Sequence, residues 1–132
     1  MDTKKLRRSR IEFYLDKTEK KVGVKFFEEI LEKPDISIDE KWFLRGCLHT
    51  AEKHYTEAIK RFQLSKSDDA RLLLLACCLK VADKFLFDEF YKEDLKEFKY
   101  FEKYKILPFW ITEEGEKYLI TLEFINKLKE II

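Results

Sequence analysis

Apolar residues recur along most of this chain at steps of three and four positions, the spacing of one face of an α-helix. Few turns break the pattern, because the 132 residues include only 3 glycines and 2 prolines. A chain of this length can bury a core of its own. The pattern therefore predicts an all-α protein with a single helical-repeat domain over residues 1–132.

Local start and stop signals divide this pattern into helices. Ser37 and Glu40 have the spacing of a capping box and predict the start of a helix that ends near Ala51. Ser67, followed by two aspartates, precedes the run LLLLACCL, which predicts the most buried helix. Thr18 and Thr112 are predicted as the N-caps of two others. The predicted units are helix hairpins at about 4–34, 37–66 and 67–105 and a terminal helix at about 112–131.

The second hairpin resembles the tetratricopeptide repeat family. The residues that carry the resemblance, at the spacing of the family pattern, are Trp42, Gly46, Ala58 and Phe62. His49 departs from the pattern, which has Tyr there. Weaker copies lie about 35 and 36 residues to either side. The resemblance implies a stack of about three antiparallel helix hairpins with a C-terminal capping helix. A helical bundle without repeats is the alternative.

Proteins of this family usually bind partners in a groove formed by the first helix of each pair. Aligned with the family, the groove positions of this chain are Arg8, Glu12 and Leu15 in the first repeat and Glu40, Phe43, Cys47 and Thr50 in the central repeat. Phe43 and Cys47 differ from the polar residues that clamp a carboxylate in some family members. An apolar groove floor suits an amphipathic helix or an apolar segment of a partner.

Aromatic residues are densest between residues 85 and 110. Tyr100 and Tyr104 lie four positions apart on a face of their own, and Phe109 and Trp110 follow the break at Pro108. Packing in the core is one interpretation. The other is a self-association surface, because tyrosine and tryptophan are favoured anchors at interfaces.

The charge balance counts against nucleic acid as a partner. The 27 basic and 26 acidic residues leave a net charge of +1, whereas nucleic-acid binders usually carry a basic excess. A basic cluster at residues 4–10 is either a solvated face or a docking site for an acidic partner surface or a phosphate backbone. Lysine and glutamate dominate over glutamine and asparagine, which is typical of a thermophile. No run reaches the ~18 apolar residues of a membrane span, so a cytoplasmic location is expected.

The sequence predicts no cofactor, no metal site and no catalytic site. Cys47, Cys77 and Cys78 lack the pairing of metal ligands and are expected to be buried thiols. His49 and His54 lie near Cys47, but a fourth ligand is missing. No nucleophile–base order or phosphate loop is present, so an enzyme is not expected.

Two functions remain as hypotheses. The first is a non-catalytic adaptor or scaffold that binds a peptide or helix of a partner protein and can self-associate. The alternative is a DNA-binding regulator, because the C-terminal segment is similar to the helix that follows the wing in winged-helix proteins. The residues that carry this similarity are Thr112, Glu113, Gly115, Tyr118 and Leu119.

Overall fold

The computed structural model describes residues 3–131 and combines helices with an antiparallel sheet. The helices are α1 (Thr3–Arg8), α2 (Val24–Leu31), α3 (Ile38–Ala51), α4 (Tyr55–Phe62), α5 (Asp68–Lys80), α6 (Lys84–Phe90), α7 (Lys99–Tyr104) and α8 (Leu122–Lys129). The strands are β1 (Arg10–Leu15), β2 (Lys21–Val22), β3 (Ile106–Ile111) and β4 (Lys117–Leu119). The all-α prediction is therefore wrong. The ends of the predicted domain, residues 1, 2 and 132, lie outside the described range.

The sheet has the strand order β2-β1-β3-β4, and every neighbouring pair is antiparallel. In the central pair, Ile11 lies opposite Trp110 and Phe13 lies opposite Pro108. All four of these residues are buried. The intervening Glu12 points to the other face, as the period of two in a strand requires. The start of the hairpin predicted at about residues 4–34 is thus a short helix followed by a strand.

Two predicted N-caps lie in turns between strands instead of at helix starts. The N–H of Thr18 donates to the carbonyl of Leu15 at 3.2 Å in the β1–β2 turn. The N–H of Thr112 donates to the carbonyl of Glu116 at 2.9 Å, which closes the β3–β4 loop. The last helix therefore does not begin at residue 112. It begins at α8, where the side chain of Thr121 is the N-cap.

The caps predicted for α3 and α5 are confirmed. The hydroxyl of Ser37 accepts the N–H of Glu40 at 3.2 Å, and the hydroxyl of Ser67 accepts the N–H of Ala70 at the same distance. Ser37 and Ser67 are separated by fewer residues than the repeat length of about 35 or 36 that the sequence predicted. The side chain of Glu40 does not complete the capping box, since it reaches Lys103 at 2.7 Å.

Helix α5 is the centre of the core, as its composition predicted. Every residue from Leu72 to Lys80 is buried. Beside it, α3 and α4 pack so closely that a Cβ on Gly46 would lie 2.3 Å from the ring of Phe62. A glycine at this position therefore permits the approach of the two helices.

The second half of the hairpin predicted at about residues 67–105 consists of two short helices, α6 and α7, joined by an irregular segment. Aspartates at the start of α5 hold this segment. Asp69 is fully buried, and its Oδ2 accepts the N–H groups of Tyr100 at 3.0 Å and Phe101 at 2.9 Å. Asp68 accepts the N–H groups at residues 96–97 in the same way. These bonds start a new helix at α7, because carboxylates favour helix N-termini.

Candidate functional site

An apolar cleft opens at one end of the sheet, where α5, α7, β3, β4 and α8 meet. It has a volume of about 520 Å³, within the range of ~300–1,000 Å³ for ligand pockets. Its apolar walls are formed by Leu72, Leu95, Phe98, Phe101, Leu107, Pro108, Leu119, Ile120 and Leu122. The cleft is therefore suited to an apolar guest.

The floor of the cleft is buried and its mouth is open. Leu72 of α5 is buried at the base, and the rings of Phe98 and Phe101 stack with their centroids 5.7 Å apart. The hydrogen bond from the N–H of Phe101 to Asp69 fixes this aromatic wall. Leu119 of the edge strand β4 is 41% exposed at the mouth, so a guest would cover surface that now faces solvent.

Two carboxylates mark the rim of the cleft. Asp16 follows β1, and its N–H donates to the carbonyl of Lys105 at 2.7 Å. Glu102 lies on α7, and both side chains are exposed. Within residues 3–131, neither carboxylate forms an ion pair or a side-chain hydrogen bond. The rim is therefore acidic and able to receive a cationic side chain.

Three of the predicted groove residues are in the core. Phe43, Cys47 and Thr50 have no exposed surface, and burial raises the pKa of the Cys47 thiol well above its usual range. The ring of Phe43 lies 4.9 Å from that of Tyr100 and 5.8 Å from that of Phe101. The face that the family resemblance assigned to a partner is thus covered by α7 of the same chain.

The other four predicted groove residues are held in separate contacts. Glu40 binds Lys103 and accepts the hydroxyl of Tyr104. Leu15 is half-buried at the edge of the core. The remaining two are in ion pairs: Arg8 with Glu113 at 3.5 Å, and Glu12 with Arg10 at 3.3 Å and with Lys21. Burial works against ionisation of Glu12, but these cations outweigh it and hold its pKa below the usual value.

The residues predicted for self-association are also largely internal. Trp110 is fully buried and Tyr100 is 6% exposed. The hydroxyl of Tyr100 donates to Asp39 at 2.5 Å, and burial together with this carboxylate raises its pKa. Burial and Glu40 raise the pKa of Tyr104 in the same way. Phe109 is half-buried on the outer sheet face, where the ammonium of Lys117 lies 4.4 Å from its ring centroid.

Lys80, the last residue of α5, is a buried cation that the sequence analysis did not single out. Its ammonium donates to the carbonyl of Leu6 at 3.1 Å, to that of Arg7 at 2.5 Å and to that of Ser9. Burial lowers its pKa to about 8. These bonds attach the end of α1 to the core, which explains a lysine at the end of an apolar run.

A second polar group lies at the turn between α3 and α4. His49, Glu52 and His54 each offer a donor atom, and these atoms lie within 4.8 Å of one another. Cys47, which the sequence analysis considered beside these histidines, is in the core instead. Glu52 lies one helical turn after His49, and His54 joins them only because Lys53, with a φ of 65°, turns the chain back.

Comparisons with known proteins do not assign the chain to a family. No family model, no curated protein and no solved structure matches it. The resemblance of residues 42–62 to the tetratricopeptide repeat stays a prediction. Among residues 3–131, the helices are all too short or too polar to cross a membrane.

Proposed function

We propose that this protein is a non-catalytic interaction module that binds an amphipathic helix of a partner protein in the apolar cleft. The observation that carries the proposal is the cleft itself, with apolar walls and a partly exposed leucine at its mouth. Helix-in-groove recognition buries apolar side chains spaced at i, i+3 or i+4, and i+7. The proposal keeps the function expected from the sequence but moves it to another surface.

The rim defines the charge of the partner helix. Asp16 and Glu102 favour lysine or arginine beside the apolar stripe, since opposite charges across an interface favour the correct partner and speed association. The effect depends on salt because both carboxylates are exposed. A basic amphipathic helix is therefore the partner that we propose.

The displaced pKa values support a non-catalytic role. Catalytic groups with altered pKa values usually lie in a cleft. Here the pKa of Lys80 is lowered to about 8, and burial raises the pKa of both Cys77 and Cys78 to about 12. None of these three residues lines the apolar cleft. Their displaced pKa values follow from burial in the core.

Location and self-association complete the proposal. Cys47, Cys77 and Cys78 are all free thiols, which supports a reducing compartment such as the cytoplasm.

Self-association would use the outer sheet face around Phe109. Sedimentation velocity of the wild type and of Phe109→Lys tests this part, and a monomeric wild type at high concentration would contradict it.

Among residues 3–131, no structural observation favours the DNA-binding alternative. The segment that prompted it is the β3–β4 loop, where Glu113, Glu114 and Glu116 are exposed. Lys5 lies 3.0 Å from Glu114, so part of the basic cluster at the start of the chain contacts this acidic loop. Carboxylates here would repel a phosphate backbone.

Selection from a phage library of helical peptides tests the proposed function. We expect enrichment of peptides with an apolar i, i+3, i+7 stripe and flanking basic residues. The binding affinity of a selected peptide is then measured by fluorescence anisotropy for the wild type and for Leu119→Glu. The substitution puts a charge at the mouth of the cleft, so affinity should fall about tenfold or more, since one lost apolar contact contributes ~1.5–3 kcal/mol.

Ile38→Glu is the matched control, because Ile38 is 73% exposed on α3 and lies outside the cleft. This variant should bind the peptide as the wild type does. Failure to enrich any helical peptide, or equal weakening by both substitutions, would contradict the proposal. Reversing the rim with Asp16→Lys should weaken basic peptides most at low salt.

A further inference from the structure

We propose that the turn between α3 and α4 binds a divalent metal ion of the zinc class, with His49, Glu52 and His54 as its ligands. The donor atoms of the three side chains already lie within 4.8 Å of one another. The site is separate from the apolar cleft, so it stands or falls independently of the proposed interaction function.

The backbone brings the two histidines together. The N–H of His54 donates to the carbonyl of His49 at 2.8 Å, and the N–H of Lys53 donates to that of Thr50 at 3.0 Å. With a left-handed φ of 65° at Lys53, these bonds form a Schellman motif. The motif places the side chains at its two ends side by side, where an apolar pair is common. Here both are imidazoles, with ring centroids 6.5 Å apart.

The corresponding turn between α5 and α6 shows what is unusual about His54. There, Ala82 has a φ of 57°, and Asp83 occupies the position of His54. Asp83 caps α6, because its carboxylate accepts the N–H of Leu86 at 2.9 Å. His54 is the N-cap residue of α4 but forms no side-chain capping bond. The imidazole of His54 therefore does not cap α4, although capping is the usual role of a side chain at this position.

His49 supplies a second, independent observation. Its Nδ1 is buried and has no hydrogen-bond partner within the described part of the chain. Glu52 Oε1 approaches this nitrogen to 3.5 Å without forming a hydrogen bond. Leaving a buried polar atom unpaired is unfavourable, and most such atoms in proteins are satisfied. Coordination by a metal ion would satisfy the nitrogen.

The donor set selects the class of ion. Two imidazole nitrogens and a carboxylate oxygen suit zinc and its neighbours, whereas magnesium and calcium prefer oxygen alone. Zinc bonds of ~2.0–2.2 Å in a tetrahedron place ligand atoms about 3.4 Å apart. Glu52 and His54 are exposed, so rotation of their side chains can close the remaining gap of at most about 1.4 Å. Three protein ligands leave one coordination position for water or for a side chain of a partner.

Neighbouring groups have other contacts. Glu57, one turn into α4, lies 3.2 Å from Lys60 and 4.0 Å from Arg61. Cys47 is fully buried, two positions before His49. Glu57 is therefore a suitable control carboxylate. Because Cys47 is fully buried, evidence of a thiol ligand would contradict the proposed set of metal ligands.

Titration calorimetry with Zn²⁺, on protein carrying no polyhistidine tag, tests the site. We expect one equivalent to bind and the melting temperature to rise with zinc. His54→Asn removes a ligand but installs a good N-cap, so the fold should be retained. Loss of a residue that only hydrogen-bonds to a metal ligand weakens metal binding ~10–100-fold. Loss of the ligand His54 itself should therefore weaken it by more than about tenfold. Glu52→Ala should weaken binding comparably, and Glu57→Gln should weaken it far less, because the charge of Glu57 acts on His49 only from a distance.

The absorption spectrum of the Co²⁺-loaded protein identifies the ligand atoms. Nitrogen and oxygen ligands in a tetrahedral site give visible bands without an intense sulfur-to-cobalt charge-transfer band in the near ultraviolet. Three outcomes would overturn the proposal: no uptake of either ion, uptake that is unchanged in both His54→Asn and Glu52→Ala, or a cobalt–thiolate band.

Discussion

Replacing Gly46 by alanine tests the closest contact between α3 and α4. The new Cβ would lie 2.3, 2.4 and 2.8 Å from three carbons of the Phe62 ring, well inside van der Waals contact. The ring is fully buried and is backed by Phe43, whose centroid is 6.3 Å away. It therefore cannot move aside freely, and the helices must separate or the ring must leave its preferred rotamer.

Two opposing terms determine the size of the effect. Alanine stabilises a helix interior by about 1 kcal/mol relative to glycine, whereas overpacking a core typically costs about 1–3 kcal/mol and occasionally more. Contacts below 3 Å with a confined ring place this substitution at or above the upper end of that range. We therefore expect Gly46→Ala to lower the free energy of unfolding by about 2 kcal/mol or more, or the melting temperature by about 7 °C or more.

Urea denaturation followed by circular dichroism measures this loss. Gly23→Ala is the control, because no atom lies within 4 Å of a Cβ at that position. It should cost no more than about 1 kcal/mol, since alanine is a poorer N-cap than glycine. In a double-mutant cycle, Phe62→Leu should reduce the cost of Gly46→Ala. If Gly46→Ala were as stable as the wild type, or strictly additive with Phe62→Leu, the steric reasoning would be refuted.

Three further predictions concern buried polar groups. Asp69→Ala should lower the free energy of unfolding by about 2–4 kcal/mol, because two N–H groups of α7 lose a charged acceptor, and Asp69→Asn should lower it less; urea denaturation compares the two. The pKa of Lys80 is about 8 in the folded protein and 10.5 in the unfolded chain. Between these two pH values, the stability of the wild type should therefore rise with pH relative to that of Lys80→Met, by up to about 3 kcal/mol in chemical denaturation. A constant difference across that range would contradict this. Ellman's reagent should label Cys47, Cys77 and Cys78 only after unfolding, and rapid labelling of the folded protein would contradict their burial.

Local signals in the sequence were sufficient to predict where α3 and α5 begin. Ser37 and Ser67 accept N–H groups within the next turn, so their role depends only on nearby residues. The strands depend on distant partners. In the β1 sequence RIEFYL, Ile11 and Leu15 also have the spacing of one face of a helix. This segment forms a strand only because it pairs with β3. Propensity and periodicity cannot report such a pairing.

The candidate sites were harder to predict for the same reason. The family resemblance assigned Phe43 to an open groove, but Asp69 binds the start of α7 and so places Tyr100 and Phe101 over that ring. The walls of the apolar cleft come from segments far apart in the chain. His54 joins His49 and Glu52 only because Lys53 adopts a left-handed conformation, which lysine seldom does.

The pairing of β1 with β3 determines when this protein can fold during synthesis. Residues 10–15 leave the ribosome well before their partners at residues 106–111, which follow only after all the intervening helices. Closing so long a loop is entropically costly and slow. Until then, one edge of β1 can pair only with water or with another chain. Nascent polypeptides that stall before β3 are therefore expected to be the aggregation-prone species.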